Sequence, residues 1–395
     1  MTPASRWKSG SLITTLFVVA VALWLRKPGV IARPQFWAED GAVFYYQAVL
    51  AGGSAVFMPY GGYLHLVPRL TAALAAACDP LYAPTVFLAV SFLLTLGVAA
   101  ACFSPRIDLP GRPWLALAIV LVPHTGEVFD NLTNLQWILA LGLLLLLLAD
   151  DARTPGQWCL DVGCVIPLGL TGPFVILWLP LFWWRFLRRR TCAAGTLAGM
   201  ATALAGVQIT VLVTHPWPQL PGASSWIDWL RQPCLRLAGS LFMPVSFAEH
   251  LSLVLLGLAG IALFGWMLWL AATTPTRRDH RWFMLAAVFL LLAAVFYKFR
   301  GDLRQISAIG NGDRYFYLPK VILLWSLVYE LKLAGWRRWT NGALLALSLL
   351  ASATSFRSPD YVDYHWSNYV ARIRAGKPVT IPINPAGWTV SFPPR

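Results

Sequence analysis

Two carboxylates stand side by side at Glu39 and Asp40, within the aromatic stretch FWAEDGAVFYYQ that follows the first apolar run. A carboxylate held beside an apolar surface is suited to take a proton from an attacking hydroxyl. Adjacent carboxylates repel, so one of the two is expected to be held partly protonated or to bind a divalent cation. The plainer reading is that Asp40 caps a helix starting at Gly41 or Ala42 while Glu39 stays solvated. A second acidic pair, Glu127 and Asp130, lies in PHTGEVFDNLTN. It reads equally as a substrate or metal site and as a polar loop with an Asp cap. Cations gather in KFRGDLRQISAIGNGDRYFYLP, which carries Lys298, Arg300, Arg304 and Arg314. A guanidinium fork suits bidentate contact with phosphate, although the same stretch could hold lipid head groups without chemistry. Arg314 also has a neighbour, Asp313, for a plain ion pair. His65 and Arg69 are four residues apart and share a helical face, where they could join a phosphate or acceptor site. For His65 alone, ordinary polar contacts are the simpler account. The sequence has no Gly-rich phosphate loop, CxxC pair or HExxH.

Helices must position these side chains. The chain has 395 residues, 58% hydrophobic and 12% charged, with a mean hydropathy of +0.62. That composition belongs to an all-α, polytopic membrane protein. The net charge of +14 is carried largely by short loops between apolar runs, which points to topology and anionic lipid rather than nucleic acid. Spans are expected at 11–25, 84–103, 114–123, 134–149, 159–170, 174–187, 192–213, 249–272, 282–297, 315–331 and 340–354. Several are shorter than the roughly 20 residues of a full crossing, which suffices if the loops joining them dip into a protein-lined cavity. Arg26 and Lys27 interrupt the first run before a weak cleavage site at Val30-Ile31-Ala32, so it reads as a retained helix rather than a signal peptide.

The short loops hold Arg6 and Lys8, Arg106 and Arg112, Arg153, RFLRRR, the Arg277–Arg281 group, and Lys332, Arg337 and Arg338. The basic residues of the other side lie mostly in long segments that the positive-inside rule discounts, so the short loops and the N-terminus are inside. Three outer segments are long: 26–83, 214–248 and 355–395. The first is expected to carry surface helices near 40–51 and 66–78. TGPF at 171–174 turns the chain between two short spans, with Pro173 opening the second. NLTN at 131–134 is formally an N-glycosylation acceptor. Of the cysteines only Cys78 and Cys234 fall outside, and a bridge between them is not expected. The Pro-rich end IPINPAGWTVSFPPR is read as an extended lid over an outer cavity or as a tail.

A first span, an outer loop opening with an acidic pair, surface helices, and a second acidic loop two spans later resemble the GT-C superfamily of integral-membrane glycosyltransferases. The resemblance covers the layout of residues 1–213 and the two acidic motifs, not long identical stretches. It implies a catalytic membrane module at 1–213, a variable membrane module at 214–354 and an outer tail at 355–395. It further implies inverting transfer from a polyprenyl-phosphate sugar to a glycan or lipid-linked acceptor in a bacterial inner membrane, with the active site in the periplasm. Asp40 or Glu39 would be the base, Asp40 being favoured, and no cofactor other than a divalent cation would be involved. A flippase for lipid-linked sugars would place its charges deep within spans. A non-catalytic envelope subunit would leave no cavity that gathers acids and bases. The orientation predicts that reporter fusions after Arg190 report the cytoplasm and fusions at Arg395 the periplasm; a periplasmic signal at 190 overturns both the topology and the site's placement.

Overall fold

The computed structural model describes residues 9–217, 225–275, 278–306 and 312–394. Arg6, Lys8, Arg277, and the side chains of Arg278 and Arg304, lie outside the described residues. Each of the eleven apolar segments forms a helix: α1 (Ser9–Arg26), α3 (Ala83–Ala101), α4 (Arg112–Leu121), α5 (Leu135–Leu148), α6 (Pro155–Gly169), α7 (Phe174–Arg189), α8 (Cys192–Thr214), α9 (Leu253–Thr273), α10 (Arg278–Lys298), α11 (Arg314–Glu330) and α12 (Trp336–Ser355). The two surface helices expected after the first span are also present. The first is a π-helical turn, Asp40–Tyr45, running into Tyr46–Ala51, and the second is α2 (Leu66–Ala77). Short helices at Pro28–Ala32, Trp226–Pro233 and Val245–Ala248, and α13 (Ser367–Arg374), complete the described α-helices. Of the described helices, four are long and apolar enough to cross a membrane by themselves: Pro80–Ala101, Cys192–Thr214, Leu253–Thr273 and Asp279–Lys298. The chain is a mostly helical membrane protein.

Two helices form the centre. In α5, LQWILALGLLLLLL, every residue except Leu146 is buried, and α11 is buried from Tyr315 to Glu330. A helix apolar on all sides needs neighbours on all sides, and α5 packs on α3, α6, α7 and α11 while α11 packs on α4, α10 and α12. The surrounding helices are one-sided: Val213, Val254, Ile261 and Leu350 are largely exposed.

The bundle has two chemically different ends. At one end, arginines staple helices together. Arg106 holds Asp161 through two 2.7 Å contacts. Arg185 and Arg189 of RFLRRR both grip Asp151, at 2.7 and 2.9 Å. Arg281 makes a forked pair with the buried Glu330, at 2.5 and 2.9 Å. These contacts, forked at Asp161 and Glu330, satisfy charges that would otherwise be costly to bury.

At the other end, loops from distant parts of the chain are tied by hydrogen bonds. Gln208, buried in apolar α8, receives the Leu64 amide at 2.8 Å and donates to the Gly172 carbonyl at 3.1 Å. TGPF is the tight turn expected between α6 and α7, with Gly172 at φ +90°. The cysteines are all unbridged.

Of the two readings of the Pro-rich end, the extended lid fits and the tail does not: its strands are extended and its turn lies against a cavity. The segment after α12 folds into α13 and an antiparallel hairpin, β1 (Val379–Ile383) with β2 (Trp388–Phe392), Ile381 facing Val390. Alternation of Val379, Ile381 and Ile383 buries one strand face. The hairpin is pinned to the first acidic segment. The Asn384 amide donates to the Phe36 carbonyl at 3.1 Å, and the Ala38 amide donates to the Asn384 carbonyl. Arg374 fastens α13 to Asp79 through contacts of 2.7 and 2.6 Å.

Candidate active site

A cavity of about 250 Å³ opens where α5 and α11 begin and α10 ends. Seven separate pieces of chain line it: 37–39, 60–65, 127–137, Trp217, Lys298, 314–315, and the hairpin turn through Pro385 and Trp388. Its charged residues are Glu39, Glu127, Lys298 and Arg314, and aromatic rings make up much of the remaining wall.

Adjacency separates Glu39 from Asp40. Ala38 at φ +35° and a π-helical turn, Asp40–Tyr45, direct the two carboxylates apart. Glu39 is half-buried and faces the cavity, where the Tyr60 hydroxyl donates to its Oε1 at 3.3 Å. Asp40 is 2% exposed and does not line the cavity. Nor does it cap the helix that follows it. Its Oδ2 accepts the Leu132 amide at 2.9 Å, and its Oδ1 accepts the Thr133 amide at 2.8 Å and the Thr133 hydroxyl at 2.7 Å. Asp40 therefore clasps the second acidic loop just before α5. Burial pushes its carboxyl up to about 7, against the opposing pull of these three donors.

That second loop is held at several points. Arg26, fully buried at the end of α1, donates to the carbonyls of Val120 at 2.8 Å and Val122 at 2.9 Å. Lys27 donates to the Phe129 carbonyl at 3.2 Å, and burial pulls its ammonium down to about 8. Gly126, at φ +85°, admits Ser358, whose Oγ would lie 1.7 Å from any Cβ there. Glu127 reaches the cavity and pairs with Arg314. Asp130, at φ +62°, is buried away from it near Lys27, and burial raises its carboxyl to about 6. Asn131 is 1% exposed and donates to the carbonyls of Glu127 and Phe129, so NLTN serves the loop's own structure.

The expected basic stretch divides. Lys298 lines the cavity, donates to the Tyr315 hydroxyl at 2.9 Å and lies 4.9 Å from the Trp217 ring centre. Arg314 also lines it. Arg300 turns outward, donating to the Tyr297 carbonyl at 2.8 Å, and is not part of the wall. Asp313 does not form the plain ion pair with Arg314. It is buried against Lys320 at 3.0 Å, Arg236 at 3.2 Å and His124 at 3.5 Å, and it accepts the Thr125 amide at 3.0 Å. Burial alone would push its carboxyl up, but these cations and the amide hold it well below the ordinary range.

His65 lines the cavity as a neutral ring, because burial, with Arg69 beside it, pulls its imidazolium down to about 3. Its Nε2 donates to the Tyr60 carbonyl at 3.2 Å, leaving Nδ1 as an acceptor with no protein partner. Arg69 lies behind the wall, donating to Gln47 at 2.6 Å and stacking 4.9 Å from the Phe44 centre.

Tyr60, Trp217 and Trp388 are site residues that sequence reasoning did not single out. The signals were present: a turn-forming PYGGY around Tyr60, and aromatics within the long segments that follow α8 and α12. Among the described residues no group of three or more metal-ligating side chains converges, so a divalent cation would have to be held by Glu39 or Glu127 with substrate oxygens. No protein-family model matches the chain, and neither a curated protein nor a solved structure matches it.

The clasp at Asp40 gives a stability prediction. In Asp40→Asn the new amide group must face a backbone N–H, so the variant should lose about 1–3 kcal/mol. The folded carboxyl holds its proton up to about 7, against 3.8 ordinarily. The stability this proton contributes is present below about pH 4 and disappears as pH rises through 7. Melting in detergent across pH 4–8 should therefore show a fall in the native protein that is reduced in Asp40→Asn; equal slopes would disprove it.

Proposed function

We propose that the protein is a membrane glycosyltransferase of GT-C type, moving a sugar from a polyprenyl-phosphate donor to a glycan or lipid-linked acceptor. The observation that carries this reading is one cavity combining a half-buried carboxylate, Glu39, with two cations, Lys298 and Arg314, amid aromatic walls. An acceptor hydroxyl would attack the anomeric carbon and pass its proton to Glu39, which Tyr60 orients. The bond to the donor phosphate breaks, and its electron pair stays on the phosphate oxygen. Lys298 and Arg314 would steady that charge. Aromatic faces suit the apolar faces of sugar rings.

In this reading all eleven helices traverse a bacterial inner membrane, with the arginine-stapled end cytoplasmic and the cavity periplasmic. Lys320 and Glu330 are charges within α11, but each is neutralised by a fixed partner, which supports a structural role over a transport path. Glu127 would release or share Arg314 when the donor phosphate arrives.

Two outcomes are expected. With radiolabelled polyprenyl-phosphate sugars in reconstituted vesicles, Glu39→Gln should lower transfer by about 10²–10⁴-fold while leaving melting unchanged. Full activity in that variant sinks the mechanism.

Arg314→Lys should weaken polyprenyl-phosphate binding, and Arg314→Ala should weaken it further. Asp313→Asn should instead destabilise the fold by about 3–5 kcal/mol, since it leaves buried cations unpaired. Donor binding unaffected by Arg314→Ala would remove this residue from the site.

A further inference from the structure

A second cleft, of about 300 Å³, adjoins the cavity and shares Tyr60, Gly61 and Trp217 with it. Its own residues are Pro59, Gly62, His215 and Pro216. The volume is at the low end of small-molecule sites, roughly 300–1,000 Å³. The two spaces differ in charge. The first holds Glu39, Glu127, Lys298 and Arg314, whereas among the described residues no Asp, Glu, Lys or Arg lines the second.

The neck between them is built with little tolerance. Gly61 is at φ +61°, and a Cβ on it would lie 2.9 Å from the Trp217 ring. Gly62 is at φ +84°, and a Cβ there would meet Leu212 at 3.0 Å. Two successive left-handed glycines thus bring the backbone against the indole. Tyr60 stands in this neck, and its hydroxyl points to Glu39. His215 uses Nδ1 toward the Thr214 hydroxyl, at 2.9 Å, which leaves Nε2 for a ligand.

Resting on the glycosyl-transfer reading, we propose that this cleft is the acceptor subsite and that it takes an uncharged saccharide terminus. A ring stacked on Trp217 and hydrogen-bonded to His215 would send its hydroxyl past Tyr60 to the Glu39 carboxylate. Among the described residues the cleft's own wall offers an anionic acceptor no cation, while Lys298, on the Trp217 ring, and Arg314 belong to the adjoining cavity where the donor phosphate would sit.

The test uses the full chain in detergent. Saturation-transfer NMR reads binding of the neutral disaccharides maltose, cellobiose and α-1,6-mannobiose, and a separate titration reads undecaprenyl phosphate. His215→Ala changes an exposed side chain, and Trp217→Phe keeps a ring beside Lys298. Each should weaken disaccharide binding by about fivefold, the factor that accompanies loss of one hydrogen bond or part of a stacking face. Undecaprenyl phosphate binding should persist in His215→Ala. Arg314→Ala should show the converse pattern. Failure of all three disaccharides to bind the native protein, or binding indifferent to both His215→Ala and Trp217→Phe, overturns the subsite. Loss of undecaprenyl phosphate binding in His215→Ala overturns the division between the two spaces. Failure of the glycosyl-transfer reading shows separately, as transfer insensitive to Glu39→Gln while disaccharide binding still follows His215.

Discussion

The arrangement of the cavity end depends on one buried carboxylate. Asp313 precedes α11 and faces inward, where Lys320, Arg236, His124 and the Thr125 amide converge on it. An isolated carboxylate at such depth is untenable, and so are the two cations without it. Satisfying Asp313 therefore fixes α11, the Cys234–Gly239 turn that carries Arg236, and the second acidic loop in one geometry. At the start of a helix, successive side chains point in different directions. With Asp313 turned to the interior, Arg314 is turned to the cavity, where it meets Glu127.

Much of this was legible in the sequence. Composition and apolar runs gave the eleven helices, because hydropathy and helical hydrogen bonding are local properties. Glu39, Glu127, Lys298 and Arg314 were each legible as candidates from residue type and loop position, but that these four, and not Asp40, Arg69 or Arg300, share one cavity was not. Direction was not legible. Asp40 and Glu39 are chemically alike and adjacent, and only the π-helical turn and Ala38 decide which one faces the cavity. Arg300 is as basic as Lys298, yet it lies two residues beyond it, on the outer side of the helix end. Asp313 looked like a partner for its neighbour Arg314, while its actual partner Arg236 is far away in sequence. Long-range pairs of this kind leave no periodic trace in a single chain.

The C-terminal segment was the hardest to read. Its prolines left it open between an extended lid and a tail, and in isolation a two-stranded hairpin would be marginal. It is ordered by what lies beneath it. Asn384 pairs with the backbone at Phe36 and Ala38, and its side chain also bridges Val362, at 2.8 and 2.9 Å. A segment remote in sequence thus completes the wall opposite α5.

The two carboxylates at 39–40 show how one sequence motif divides labour. Asp40 directs its three hydrogen bonds to the backbone and hydroxyl of residues 132–133, which orients the loop carrying Glu127. Glu39, one residue earlier, accepts one hydrogen bond from the described residues, from the Tyr60 hydroxyl at 3.3 Å, and remains open to the cavity. A carboxylate buried behind the cavity wall, as Asp40 is, meets no substrate proton. A half-satisfied one, oriented by a phenol, is free to act. Burial of Asp40 thus serves Glu39 by holding the opposite wall in place. Exchanging the two residues would break both functions, because Glu at 40 is too long for the clasp and Asp at 39 is too short to meet Tyr60.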